Sequence, residues 1–137
     1  MTTPVYIQPT PLVKVAEQNS LKRVKELLSA GYNPNEKNEH ENSALAEAIF
    51  HGNIPMIKWF LQYGADVNAR DGEGHNALFY VVAGMCPWQE VLPRFKLLFK
   101  YGIDLCARDK HGHNILQHGS RLDNATKRWL NEQGIKE

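Results

Sequence analysis

Apolar residues recur along the chain in pairs of short segments, each with the spacing of one face of a helix. Leu12, Leu45 and Leu78 each begin a short apolar segment, and successive members lie about 33 residues apart. Gly31 and Gly64 end the longer segment of each pair and have the same spacing. A fixed period of this length predicts a stacked array of helix pairs, because one pair cannot bury its apolar face alone.

The period defines four repeats within a single predicted domain, 1–137, with boundaries near 5–37, 38–70, 71–108 and 109–137. Thr10, Ser43 and Asp123 are predicted to cap helices, because their side chains can accept from the first free backbone N–H groups. Leu116 is expected to begin the core of repeat four. The spacing from Gly64 to Gly102 exceeds the period by five, which places an insertion around 85–91 in repeat three.

Several motifs resemble the ankyrin-repeat family. They are Gly64-Ala65-Asp66-Val67-Asn68, Thr10-Pro11-Leu12, Asp71-Gly72-Glu73-Gly74 and Asp109-Lys110-His111-Gly112. The resemblance covers about residues 5–134 and implies an all-α solenoid, with four helix-turn-helix repeats joined by β-turn fingers. Three kinds of position depart from the family pattern. The His expected after Thr-Pro-Leu is replaced by Val13, Ala46, Phe79 and Gln117. Glu41 stands in place of a finger glycine, and Cys106 in place of a finger asparagine.

Composition excludes several classes of protein. The formal net charge of +1 gives no overall attraction to nucleic acid or to an anionic membrane. Cys86 and Cys106 form no CxxC pair, which favours a reducing, cytoplasmic location. Residues 1–6 lack the pattern of a signal peptide, and no apolar stretch approaches the ~20 residues that cross a bilayer.

The resemblance implies that a partner protein binds the concave face formed by the fingers and the first helices. The finger residues predicted on this face are Lys37, Glu39, His40, Asn42, Arg70, Glu73, His75, Arg108, Lys110, His111 and His113. The predicted inner-helix residues are Phe50, His51 and Arg121. Trp88, in the insertion, is predicted either to contact the partner or to fold back over a helix pair as a lid.

The sequence therefore predicts a monomer that binds a partner protein without a cofactor and without catalysis. The specific form of this prediction is an inhibitor, or an immunity protein that neutralises a toxin, which masks a surface of its partner. An adaptor subunit of a larger assembly is the alternative within this class. In a different class, His75, His111 and His113 suggest a metal-binding protein or hydrolase, although no Cys or carboxylate completes a recognisable ligand spacing. Cys86 suggests a thiol nucleophile, but no flanking signature supports one.

Overall fold

The computed structural model describes residues 12–84 and 86–136, without the side chains of 119–121, and it shows helices in consecutive pairs. The pairs are α1 (Leu12–Glu17) with α2 (Leu21–Ser29), α3 (Ala44–His51) with α4 (Ile54–Gln62), α5 (Ala77–Ala83) with α6 (Val91–Lys100), and a 3₁₀ segment (Ile115–Arg121) with α7 (Asn124–Glu132). The described residues contain no β-strand beyond an isolated bridge between Lys37 and Ser43. None of their helices is both long and apolar enough to cross a bilayer.

Side-chain caps begin the helices where the sequence predicts them. Ser43 Oγ accepts from the backbone N–H of Ala46 at 3.0 Å, and Asp123 Oδ1 accepts from that of Thr126 at 2.8 Å. The predicted cap at Thr10 lies outside the described residues. Gly64 ends α4 with a φ of 89°, a left-handed conformation that a Cβ would strain. The caps and the glycine together explain why the repeat period is visible in the sequence.

The helices form two layers with the apolar core between them. The first helices make the inner layer, in which α3 packs between α1 and α5, and α5 packs on the 3₁₀ segment. The second helices make the outer layer, in which α2 packs on α4 and α6 packs on α7. Phe60 and Phe95, from the outer helices, are completely buried between the layers. The array therefore leaves the exposed side of the first helices free to form a surface.

Repeat four departs from the predicted register. Its first element is a 3₁₀ segment in which His118 has non-helical backbone angles (φ −99°, ψ 25°). Ile115 is completely buried, while Leu116, the residue predicted to begin the core, is only half-buried. A 3₁₀ turn is tighter than an α-helical turn, so its side chains point in different directions. The repeat period therefore assigns Leu116 to the core, whereas Ile115 is the residue that is completely buried.

The insertion lies between α5 and α6, as the spacing predicts. Residues Trp88–Glu90 form one 3₁₀ turn that leads directly into α6, and Met85 lies outside the described residues. Arg94, only 2% exposed, reaches from α6 into repeat two. Its guanidinium donates to the backbone carbonyls of Ile49 and Gly52, at 3.3 Å each, and so satisfies the C-terminal end of α3.

Candidate functional site

Each finger is built around one acidic or amide side chain that holds its turn. Asn38, Asp71 and Asp109 occupy this position in repeats two, three and four. In each, Oδ1 accepts from the backbone N–H groups two and four residues further on, at distances between 2.8 and 3.1 Å. Such turns are typical of Asn and Asp, whose short side chains reach their own backbone. The second oxygen of each aspartate is left to face the groove.

Two further positions in each of these repeats carry polar or ionisable side chains. The first position closes the finger and holds Asn42, His75 and His113 in repeats two, three and four. The second belongs to the first element of the repeat and holds Glu47, Tyr80 and His118. These positions are equivalent once the repeat period and the insertion in repeat three are both taken into account. A continuous line of polar groups therefore runs along the concave side of the array.

The centre of this line is a junction between repeats two and three. The Tyr80 hydroxyl donates to Asp71 Oδ2 at 2.6 Å and lies 3.0 Å from Asn42 Oδ1. Burial, together with the Asp71 carboxylate, raises the pKa of Tyr80. Burial opposes ionisation of Asp71, but hydrogen bonds from Tyr80 and from the backbone of His75 and Glu73 outweigh it and lower its pKa. The junction therefore fixes a charged carboxylate in the groove.

Asp109 gathers three imidazoles at the end of the line in repeat four. His118 Nε2 lies 2.9 Å from Asp109 Oδ2, His75 Nε2 lies 3.5 Å away and His113 Nδ1 lies 4.0 Å away. The Asp109 side chain is only 1% exposed. Its burial opposes ionisation, but hydrogen bonds from the backbone of His113 and His111 and from the His118 ring keep its pKa well below the ordinary range.

A groove of about 490 Å³ opens beside these groups. Its floor comes mainly from α5 and its polar wall from the finger and the 3₁₀ segment. The residues that line it are Asp71, His75, Phe79, Tyr80, Val82, Ala83 and His118. The Phe79 ring lies edge-on to His118, with centroids 4.9 Å apart, so an apolar face meets the ionisable groups directly. This combination is typical of a binding surface.

The basic finger residues predicted to contact a partner also connect neighbouring fingers. Lys37 Nζ donates to the carbonyl of Arg70 at 3.0 Å, and Arg70 Nη1 donates to the carbonyl of Arg108 at 2.9 Å. Lys110 forms an ion pair with Glu73, whose carbonyl also accepts from the Lys110 backbone. Gly74 allows this close approach, because a Cβ there would lie 2.9 Å from the Lys110 nitrogen. These side chains therefore have a structural role that the sequence did not reveal.

The other predicted residues differ in their exposure and contacts. His51 is exposed at the end of α3, with Nε2 3.3 Å from Glu47 Oε2, and Phe50 beside it is half-buried. Glu39 and His40 are exposed and line a second groove with α1. His111 is exposed at a finger tip. The Arg121 side chain lies outside the described part of the chain.

Trp88 does not act as a lid. Its side chain is 59% exposed, whereas a tryptophan folded over the helix pair would be largely covered. It lies in the turn after α5, while the finger lies before α5, so the two features are at opposite ends of that helix. Cys86 beside it is buried, and its Sγ donates to the Val81 carbonyl at 3.8 Å.

Sequence reasoning missed four residues at the centre of the site, namely Asp71, Tyr80, Asp109 and His118. Comparing equivalent positions across repeats was the available signal, since Glu47, Tyr80 and His118 share one register. The sequence shows no recognisable ligand spacing, but the fold brings a carboxylate to the histidines. Asp109 lies between His75 and His118, while His111 is not part of the cluster.

The outer helices carry a second set of exposed aromatic side chains that the sequence reading did not single out. Tyr63, Phe99 and Tyr101 are 42%, 44% and 36% exposed. The Tyr63 ring stacks on Trp59, with centroids 5.3 Å apart. This face is the natural control surface for any test of the concave one.

Comparisons with known proteins agree with the fold. A family model described as ankyrin repeats, in three copies, matches residues 6–71. The potassium channel AKT1 of Arabidopsis thaliana is 41% identical over 59 residues, which are 43% of this chain and 7% of the channel. The E3 ubiquitin-protein ligase KEG of the same organism is 35% identical over 74 residues, 54% of this chain and 4% of the ligase. The chain thus spans less than a tenth of the length of either relative.

Proposed function

The chain belongs to the ankyrin-repeat family, a protein–protein interaction module, and we propose that its concave face binds one partner protein without catalysing a reaction. The observation that carries this proposal is the groove along α5, where fixed ionisable groups border an apolar floor. Specific interfaces combine an apolar centre with charged and hydrogen-bonding groups around it. Trp88, exposed in the turn after α5, is a separate candidate contact, because tryptophan is enriched among energetically dominant contacts.

The proposed mode of action is masking of the partner, as an inhibitor or as an immunity protein that neutralises a toxin does. A preorganised face supports this role, because little side-chain entropy is lost when the partner docks. The finger turns, the inter-finger bonds and the Tyr80–Asp71 contact hold the face before any partner arrives. Cys86 and Cys106 are thiols and not halves of a disulfide, which favours action in the reducing cytoplasm.

A hydrolase or thiol enzyme has less support from the geometry. The Cys86 thiol is buried and donates to a backbone carbonyl, and a nucleophile needs an accessible thiolate beside a base. An adaptor within a larger assembly is the second form of the binding hypothesis. Light scattering separates these forms of the hypothesis, because the inhibitor form predicts a free monomer that becomes a one-to-one complex.

The decisive experiment compares two faces of the same chain in a pull-down from native cells, with quantitative mass spectrometry. The concave variant, Ala83→Arg with His51→Ala, alters an exposed residue that lines the groove along α5 and the exposed end of α3. The outer variant, Phe99→Ala with Tyr101→Ala, alters the outer helices. We expect the unaltered chain and the outer variant to retain equal amounts of one partner protein. The concave variant should retain at least about 10-fold less of it. Calorimetry with the recovered partner then gives the affinity, and an assay of the partner's own activity tests inhibition.

The opposite pattern would count against the proposal. If the outer variant alone loses the partner, the exposed aromatic side chains of α6 and its end form the interface. Retention by both variants would remove the assignment of either face.

A further inference from the structure

We propose that His75, Asp109 and His118 bind one transition-metal ion, with zinc as the best match, at the concave face between repeats three and four. One oxygen, Asp109 Oδ2, lies 2.9 Å from His118 Nε2 and 3.5 Å from His75 Nε2. No two of the three ligand atoms are more than 4.8 Å apart. This inference concerns the chain by itself and does not depend on the protein-binding proposal.

The spacing suits tetrahedral coordination. Zinc–nitrogen and zinc–oxygen bonds of about 2.0–2.2 Å place tetrahedral ligand atoms ~3.3–3.5 Å from one another. The 3.5 Å distance from His75 to Asp109 lies at this value, and the 2.9 Å distance from His118 is that of a hydrogen bond, which the ion would replace. The imidazoles must approach each other by about 1 Å to complete the geometry, and both rings have room to adjust because each is partly exposed at a groove wall. Two imidazoles and a carboxylate are among the ligands that zinc prefers.

The carboxylate is held in advance of any ion. Asp109 Oδ1 accepts from the backbone N–H groups of His111 and His113, so Oδ2 is directed at the imidazoles. Among the ion pairs of the described residues, Asp109 has only histidine partners and no lysine or arginine. Asp109 therefore presents an ionised oxygen with no permanently charged side chain beside it, and a metal ion can bind such an oxygen.

His75 also has the kind of outer partner that metal-binding histidines use. If Nε2 binds the ion, Nδ1 carries a proton and faces Asp71 Oδ2, 3.6 Å away. Asp71 is itself held by the Tyr80 hydroxyl at 2.6 Å. A carboxylate beside the second ring nitrogen orients a histidine and strengthens it as a ligand. The His113 imidazole lies further out, with Nδ1 4.0 Å from Asp109 Oδ2, and is not one of the three proposed ligands.

The preceding repeat provides an internal comparison. The residues equivalent to His75, Asp109 and His118 are Asn42, Asp71 and Tyr80. There the Tyr80 hydroxyl bridges the other two side chains directly, at 2.6 and 3.0 Å, and no cation is needed. Of these two trios, only the later one places a metal-binding group at all three positions. The same arrangement of three side chains thus occurs twice. Hydrogen bonds join the earlier trio, and the later trio consists of possible metal ligands.

This comparison supplies the test variant. The double substitution His75→Asn with His118→Tyr gives the later trio the chemistry of the earlier one, which the fold already accommodates. The control double substitution His40→Ala with His111→Ala removes two exposed finger histidines outside the trio. All three tag-free chains are stripped with a chelator, checked by circular dichroism and titrated with zinc chloride in a calorimeter. Cobalt(II) then reports tetrahedral coordination through its visible absorption.

We expect one zinc per unaltered chain and per control chain, a rise in melting temperature with zinc, and an intense tetrahedral cobalt spectrum. The trio variant should fold and melt like the metal-free unaltered chain but bind zinc at least about 100-fold more weakly, because two ligands are gone. Equal zinc binding by the trio variant, loss of binding in the control, or no binding by the unaltered chain at about 100 µM zinc would each overturn the proposal.

Discussion

At the scale of single residues, the concave face depends on side chains that burial and neighbours hold in particular charge states. Asp71 and Asp109 stay ionised because backbone N–H groups and either a hydroxyl or an imidazole stabilise the carboxylate. Glu47 is in the opposite situation. Its burial, and then the negative charge of Glu17, raise its pKa above the ordinary 4.5, and Asn42 and His51 only partly oppose this.

Glu47 therefore predicts a pH-dependent loss of stability. A raised folded-state pKa stabilises the protein fully below pH 4.5, and this contribution is lost as pH rises through the folded pKa. Glu47→Gln removes the titration, while its amide oxygen can still accept from Asn42. We expect the free energy of unfolding of the variant to gain on that of the unaltered chain as pH rises above 4.5.

Urea denaturation at each pH, with a chelator present, measures this difference. Glu26→Gln on the exposed face of α2 is the control and should leave the pH profile unchanged. A constant difference between Glu47→Gln and the unaltered chain across the whole range would show that Glu47 is not destabilised by its burial.

At the scale of elements, repeat four shows where the period stops predicting the structure. Leu78 begins the core of α5, and the equivalent residue one repeat later is Leu116. The 3₁₀ geometry buries Ile115 instead and leaves Leu116 half-buried. The same segment breaks at His118, which turns that imidazole toward Asp109. An irregular element has therefore replaced an α-helix at the position where the histidine cluster forms.

This difference gives a matched pair of substitutions within one segment. Ile115→Ala should destabilise the protein by about 2–5 kcal/mol, because it leaves a cavity at a completely buried position. Leu116→Ala removes a half-buried side chain and should cost distinctly less. Urea denaturation of both variants decides the register, and a larger cost for Leu116→Ala would favour the regular repeat spacing over the 3₁₀ segment.

At the scale of the whole molecule, stability depends on how each repeat couples to its neighbour. One apolar cluster has members in all four repeats, and α3 packs between α1 and α5 within it. Arg94 is an exception, since it begins on α6 of repeat three and satisfies carbonyls at the end of α3 in repeat two. It also lies 3.7 Å from Glu90 in the insertion, so it connects three parts of the fold.

Arg94→Ala is expected to lower the free energy of unfolding by about 2–3 kcal/mol, because hydrogen bonds from a buried charge are among the stronger ones and two carbonyls lose their donor. Hydrogen exchange should increase at the C-terminal end of α3, beyond the substituted helix. Lys96→Ala, an exposed position on the same helix, is the control. Exchange that changes only within α6 would show that Arg94 does not couple the repeats.

The sequence by itself determined the all-α array, because its signals are local. Helical spacing of apolar residues, Ser and Asp caps and glycine stops act within a few residues of each other, and the fixed repeat period then places them again along the chain. It also located the insertion after α5.

Only the tertiary structure decided the chemistry of the concave face, because His75, Asp109 and His118 come from different repeats and meet only when the fingers stack. It likewise decided that Arg70 connects fingers, that Trp88 is exposed and that Ile115 replaces Leu116 in the core. These outcomes depend on distances between segments, which local spacing does not encode.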